Sequence, residues 1–197
     1  MEIMMKNTIW MAVTIGTLAM LQGCALKPQD IRIDPSIELS KAQTGNAKSI
    51  GVTVADARPT KKLGQVGDPD GKTVEVSANQ DAGPVIYSRV SDALSELGYK
   101  VTPHADGTDP SLRIEVQSLK LESGKRAFDF LTTLRAEVTA RVDNGRSHFE
   151  RIYTVSQSMN SAGPSYKAES SRLVNKAVSM ALQDMLSDQK LLETLNK

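Results

Sequence analysis

The residues able to do chemistry are few, and each must be judged by its neighbours. The stretch GQVGDPDGKT (residues 64–73) ends in Gly71-Lys72-Thr73, as a phosphate-binding loop does. Such a loop needs glycine where this chain has Val66, and Asp68 and Asp70 would repel phosphates. The same aspartates do not make a calcium loop, because glycine arrives too early after Asp68. Between two alternating runs, Pro69-Asp70-Gly71 reads as a hairpin turn, with proline presetting the bend and glycine supplying the positive φ. His104 and His148 are the only histidines, and neither has a histidine partner four residues on. A zinc site would then need an unusual set of carboxylates. No Gly-x-Ser-x-Gly elbow is present. What remains is dispersed Asp and Glu, which either pair in space to cleave glycosides or stay solvated at the surface. Asp56 and Arg58, two apart at a strand end, read as a local ion pair, about 0–1 kcal/mol if exposed. No catalytic, cofactor-binding or metal-binding residue is assigned.

The one thiol is different. Cys24 closes a run without charge, Thr8 to Leu21, and opens a polar segment containing Pro28. A short apolar core of about 7–15 residues behind a basic start describes a secretory signal, whereas a membrane span needs about 20. Glu2 offsets Lys6, and initiation at Met4 or Met5 would restore the positive start. A lone cysteine here is open to three readings: a buried structural residue, half of an intermolecular disulfide, or a modification site. Leu21-Gln22-Gly23-Cys24 resembles the lipobox of bacterial lipoproteins, with Gln22 bulkier than the usual residue. That resemblance implies cleavage after residue 23 and lipidation of Cys24 by a thioether-linked diacylglycerol and an amide-linked acyl chain. Stable anchoring takes two lipid signals, and three chains exceed that. Ala25, rather than aspartate, implies the inner leaflet of an outer membrane, facing the periplasm. The membrane is thus one expected partner, held through Cys24.

Composition narrows the rest. A formal net charge of +1 leaves no basic excess for nucleic acid. Trp10 leaves with the signal, and three Phe and four Tyr make a poor stacking platform for bases or sugars.

The positioning elements follow from periodicity. Residues 25–49 read as a tether, with one alternating patch at Ile31-Arg32-Ile33. This segment either docks, covering an edge of the Ile50–Val54 strand or yielding it to a partner strand, or it is plain tether. Ile50, Val52 and Val54 alternate in a first strand that ends before Pro59. Leu63–Val66 and Thr73–Ser77 form a hairpin. Pro84 opens a helix whose face is Ile86, Val90, Ala93, Leu94 and Leu97, closed by Gly98. A short extended piece follows at YKVTP (residues 99–103). Leu112, Ile114 and Val116 alternate, then shift phase to Leu119 and Leu121, which predicts a bulge near Gln117 or Ser118. Asn144-Gly145 between alternating runs is the strongest hairpin signal. A two-residue loop opposes Ala140 to Phe149, Ala136 to Tyr153 and Leu134 to Val155, with Arg141–His148 and Thr139–Glu150 on a wet face. Arg151 falls on the apolar side and snorkels at its edge. Leu173 to Leu186 carries a continuous apolar stripe, and Leu191, Leu192 and Leu195 make a short docking turn.

The expected fold is therefore α+β, an antiparallel β-sheet with two amphipathic helices packed on one face. The expected organisation is 1–23 signal peptide, 24–49 lipidated N-terminus and tether, and 50–197 a single domain. The lipobox, IRIDPSIEL, IGVTVADARP, KTVEVSAN, the helix ending in GYKV, LRIEVQSLKL, the Asn144-Gly145 hairpin and the last helix occur in the order of YajG-family lipoproteins, which the chain resembles. That family is of uncharacterised function and supplies no site residues. The functional expectation is a non-enzymatic binding or assembly module of the cell envelope with a protein partner and no cofactor. The alternative is an envelope glycan hydrolase using dispersed carboxylates.

Overall fold

Three long strands, joined by two hairpins, frame the protein. The structure, a computed structural model, describes residues 27–39, 45–67, 72–103 and 109–197. Its strands are β1 (Gln29–Asp30), β2 (Ser49–Asp56), β3 (Lys62–Gly67), β4 (Thr73–Ser77), β5 (Lys100–Pro103), β6 (Ser111–Lys125), β7 (Phe130–Asp143) and β8 (His148–Ser161). Its helices are α1 (Gly83–Glu96), α2 (Lys167–Leu186) and α3 (Gln189–Asn196). β7 runs antiparallel to the whole of β6. β2 and β3 therefore lie end to end along the other edge of β6, both parallel to it. β5 flanks β2 in parallel, β4 flanks β3 antiparallel, and β1 flanks β4 in parallel.

The α+β class holds, but the expected antiparallel sheet with two helices does not. The sheet is mixed and mostly parallel by pairing, since β1–β4, β2–β5, β2–β6 and β3–β6 all run parallel. The described residues also hold three helices. Parallel neighbours need a crossover, and α1 supplies it between β2 and β5. The third helix is the expected leucine turn, extended because the Asp188 side chain accepts from Lys190 N and caps it. Leu191 and Leu195 are fully buried beneath it.

Face assignments from periodicity stand. The β6 bulge falls between Val116 and Ser118, so Leu112, Ile114, Val116, Leu119 and Leu121 all reach the core. The last hairpin keeps its faces but not its register. Val142 opposes Phe149 and Ala136 opposes Val155, because the loop spans residues 144–147 rather than two residues. Asn144 Oδ1 accepts from the backbone of Arg146 and Ser147 at 3.0 and 2.7 Å, while its Nδ2 donates to Thr194 O on α3 at 2.7 Å. A slip of two residues leaves every side chain on its original face. Gly64 marks where β3 meets β6: a Cβ there would overlap the Leu121 carbonyl oxygen.

Residues 29–39 lie against the core as an extended strap. Gln29, Ile31, Ile33 and Pro35 are buried, and the residues between them are exposed. The strap covers the edge of β4, with Ile31 N donating to Ser77 O at 2.7 Å. It does not cover β2, whose two edges belong to β5 and β6. Beyond Ile33 it runs along α2. Asn175 donates to Arg32 O and accepts from Asp34 N, Ser179 Oγ accepts from Ser36 N, and Gln183 donates to Glu38 O. Four helical residues rise about 6.0 Å and two strand residues about 6.6 Å, so side chains at i, i+4 and i+8 meet alternate strap residues.

Candidate binding site

Most of the sequence candidates do not assemble. Cys24 and His104 lie outside the described residues, as does the 68–71 turn. The strands flanking that turn pair antiparallel, Gly67 with Thr73, so the segment links strand to strand and not strand to helix. No group of three or more His, Cys, Asp or Glu is placed to hold a metal among the described residues.

Asp56 and Arg58 do come together, but buried rather than exposed. Arg58 Nε and Nη2 grip the two carboxylate oxygens at 2.7 Å each, with side chains 2% and 1% exposed. Lys61 Nζ adds a third bond at 2.6 Å, and Ala82 N donates at 3.2 Å from just before α1. Burial by itself would raise the Asp56 pKa. The hydrogen bonds from Arg58, Lys61 and Ala82 outweigh it and hold the carboxyl well below the usual range. This cluster ties the end of β2 to β3 and α1, and of its charged groups Lys61 is the one that reaches solvent.

The open face of β6, β7 and β8 centres on Arg141. Its Nη1 lies 3.1 Å from Glu115 Oε1 and its Nε 3.2 Å from Glu150 Oε2. The hydrogen bond to Glu150, then the charges of Glu115 and Glu150, push its pKa upward. His148 Nε2 sits 4.0 Å from Glu150 at the rim of a cavity of about 350 Å³ that also touches Arg113, Asp143 and Thr53. The two carboxylates thus share one guanidinium, each in an ion pair with it.

β8 completes the surface. Its first half is braced: Tyr153 Oη donates to Asp188 Oδ2 at 2.7 Å, and Arg151 bonds the same oxygen. Burial, then the bond to Asp188, pushes the Tyr153 hydroxyl far up. Arg151 also stacks over Phe149 at 5.5 Å, the snorkelling position that its place at the margin of the apolar face predicts. From Ile152 to Ser161 the strand carries no charge and no proline. The strand pairs only with β7, in unbroken register, so its other edge has no partner strand among the described residues. Ile152, 60% exposed, projects from the otherwise polar face between Glu150 and Thr154. The alternation of residues 148–161 shows a strand, but nothing in it shows that the strand is last in the sheet.

Fold and surface together define an α+β domain with its N-terminal strap bolted to the core and the β7–β8 hairpin ending the sheet. The chain belongs to the Lipoprotein_16 family, described as "Uncharacterized lipoprotein", which matches residues 35–196. Membership in this family implies a lipid anchor. The chain is 25% identical over 186 residues to "Uncharacterized lipoprotein YajG" of Escherichia coli K12, covering 91% of this chain and 93% of that one. The resemblance read from the order of its motifs is therefore real. Among solved structures, a Xanthomonas campestris protein of the DUF330 family aligns with TM-score 0.47 and 15% identity, over 87% of this chain and 97% of that one. Lipoprotein GNA1162 from Neisseria meningitidis aligns with TM-score 0.32 and 19% identity, over 72% and 99%.

Proposed function

We propose that this lipoprotein is a non-enzymatic binding or assembly module, anchored through Cys24 in the outer membrane and facing the periplasm. It binds an extended strand of another envelope protein along the open edge of β8. One observation carries this reading: the uncharged, unbroken edge from Ile152 to Ser161. Exposed edges are commonly guarded by lysine, proline, bulges or inward charges, and only the Arg151 half has such a guard. Strand addition would supply main-chain hydrogen bonds, while alternate side chains such as Ile152 give specificity.

A photoreactive residue at Ile152 in the acylated chain should crosslink to one envelope protein, while the same probe at exposed Lys176 on α2 does not. Ile152→Lys, which introduces an edge guard, should remove the partner from a probe at Thr154. Equal labelling from Ile152 and Lys176 would count against the edge.

The anchor is tested separately. Cys24→Ser should leave a folded chain that appears in the soluble fraction, because the acyl chains lie outside the core. Retention in salt-washed membranes would sink the assignment of Cys24.

A further inference from the structure

The direction in which the strap leaves the domain is set by the sheet. β3 runs parallel to β6 towards the β6–β7 turn, β4 returns from that end, and β1 runs parallel to β4. The chain before Gln29 therefore comes from the same end as the tip of the β6–β7 hairpin. A second, independent chain of contacts agrees. Gln29 Nε2 donates to Ser165 O at 2.9 Å, Ser165 Oγ lies 2.7 Å from Thr132 Oγ1, and Thr132 Oγ1 lies 3.0 Å from Ser123 Oγ. Ser123 and Thr132 flank that hairpin tip.

Distances match as well. Five residues separate Cys24 from Gln29, a reach of at most about 17 Å. Phe128 lies four residues before Thr132, across the start of β7 and the turn, a span of at most about 14 Å. The chain ahead of Gln29 is thus long enough for its lipidated residue to come level with the tip.

What stands at that level is apolar and basic. Arg126 N donates to Asp129 O at 2.7 Å and closes the turn, leaving Phe128 98% exposed beside Lys125 and Arg126. Tyr166, next to Ser165, is 61% exposed. Single exposed apolar residues need no explanation. Here two of the three large exposed hydrophobics of the described residues share one end with the strap. A cavity of about 400 Å³ beside the tip is lined by Lys125, Arg126 and Leu131. Of the nearby acids, Glu122 is paired with Lys120, Asp129 lies half-buried within the turn, and half-buried Glu169 accepts from Tyr166 N at 3.0 Å.

We infer that this end of the domain docks on the bilayer that holds the chain's own lipids. Phe128 enters the headgroup–acyl boundary, Tyr166 lies in the interfacial layer, and Lys125 and Arg126 meet lipid phosphates. The inference rests on the Cys24 anchor. It orients the sheet edge-on to the membrane, with Ile152 of β8 roughly 30 Å from the tip at about 3.4 Å per residue.

The test uses the acylated mature chain, which lacks Trp10, carrying Phe128→Trp or Ile152→Trp. Each is reconstituted into vesicles of phosphatidylethanolamine and phosphatidylglycerol. Both should float with the vesicles. The indole from Phe128→Trp should emit further to the blue and lose most of its emission when the lipids carry bromine high on their acyl chains. The indole from Ile152→Trp should keep its aqueous spectrum. A floating Phe128→Trp chain that emits as in water, or equal quenching at both positions, overturns the docking while leaving the anchor intact. An acylated chain that does not float overturns the anchor and the docking with it.

Discussion

Asp56→Ala should lower the unfolding free energy by about 3–5 kcal/mol, a large part of the roughly 5–15 kcal/mol available to a domain. The charge is almost fully buried, and so is its partner: Arg58 is 2% exposed on its side chain. Removing the carboxylate leaves a buried guanidinium with one weak contact, Nη2 to Ala78 O at 3.4 Å, and Nη1 already without a hydrogen-bond partner. It also frees the Ala82 N–H at the start of α1. Urea unfolding of the soluble Cys24→Ser chain, with and without the substitution, measures the loss. A second change, Arg58→Met, should recover part of it by removing the orphaned charge. A loss under about 1 kcal/mol would mean the cluster is solvated rather than buried.

The same group sets an acid limit. Its folded-state pKa lies below the ordinary 3.8, so the folded chain binds fewer protons than the unfolded one in acid. Stability therefore rises with pH through that range. The contribution is complete above about pH 5 and drains away as the pH falls below the ordinary value towards the folded one. In Asp56→Ala this part of the acid dependence should vanish.

Ile33→Ala should cost about 2–4 kcal/mol, as expected for a fully buried isoleucine. A tether residue would cost less than about 0.5 kcal/mol. Hydrogen exchange adds a local readout. The amides of Ile31, Asp34 and Ser36 donate to Ser77 O, Asn175 Oδ1 and Ser179 Oγ, and should be protected. In Ile33→Ala they should exchange faster together, since Ile33 is the fully buried residue between the β4 contact at Ile31 and the α2 contacts at Asp34 and Ser36. Asn175→Ala should speed Asp34 more than Ile31, because it removes one rung of the ladder. Free-peptide exchange at all three amides in the unsubstituted chain would show that the strap does not dock.

The kinds of elements and the faces they bury were legible in residue order, because periodicity is a local property. A period of two at Ile50–Val54 and of 3.6 at Leu173–Leu186 needs no knowledge of neighbours. The phase shift at Val116–Leu119 located a bulge for the same reason, and the motif order carried family membership. The hairpin faces were also legible, since a register error of two residues leaves them unchanged. Strand direction was not, because an alternating run reads alike whether its neighbour is parallel or antiparallel. That is why the mixed sheet emerged only from the path through α1. Whether Asp56–Arg58 lies in water or under Lys61 and α1 depends on residues far along the chain. So does the docking of Ile31 and Ile33, which is decided by Ser77, Asn175, Ser179 and Gln183. The open edge of β8 is a property of the sheet and not of the strand: an edge is defined by which segment fails to pair there, and no single segment encodes that.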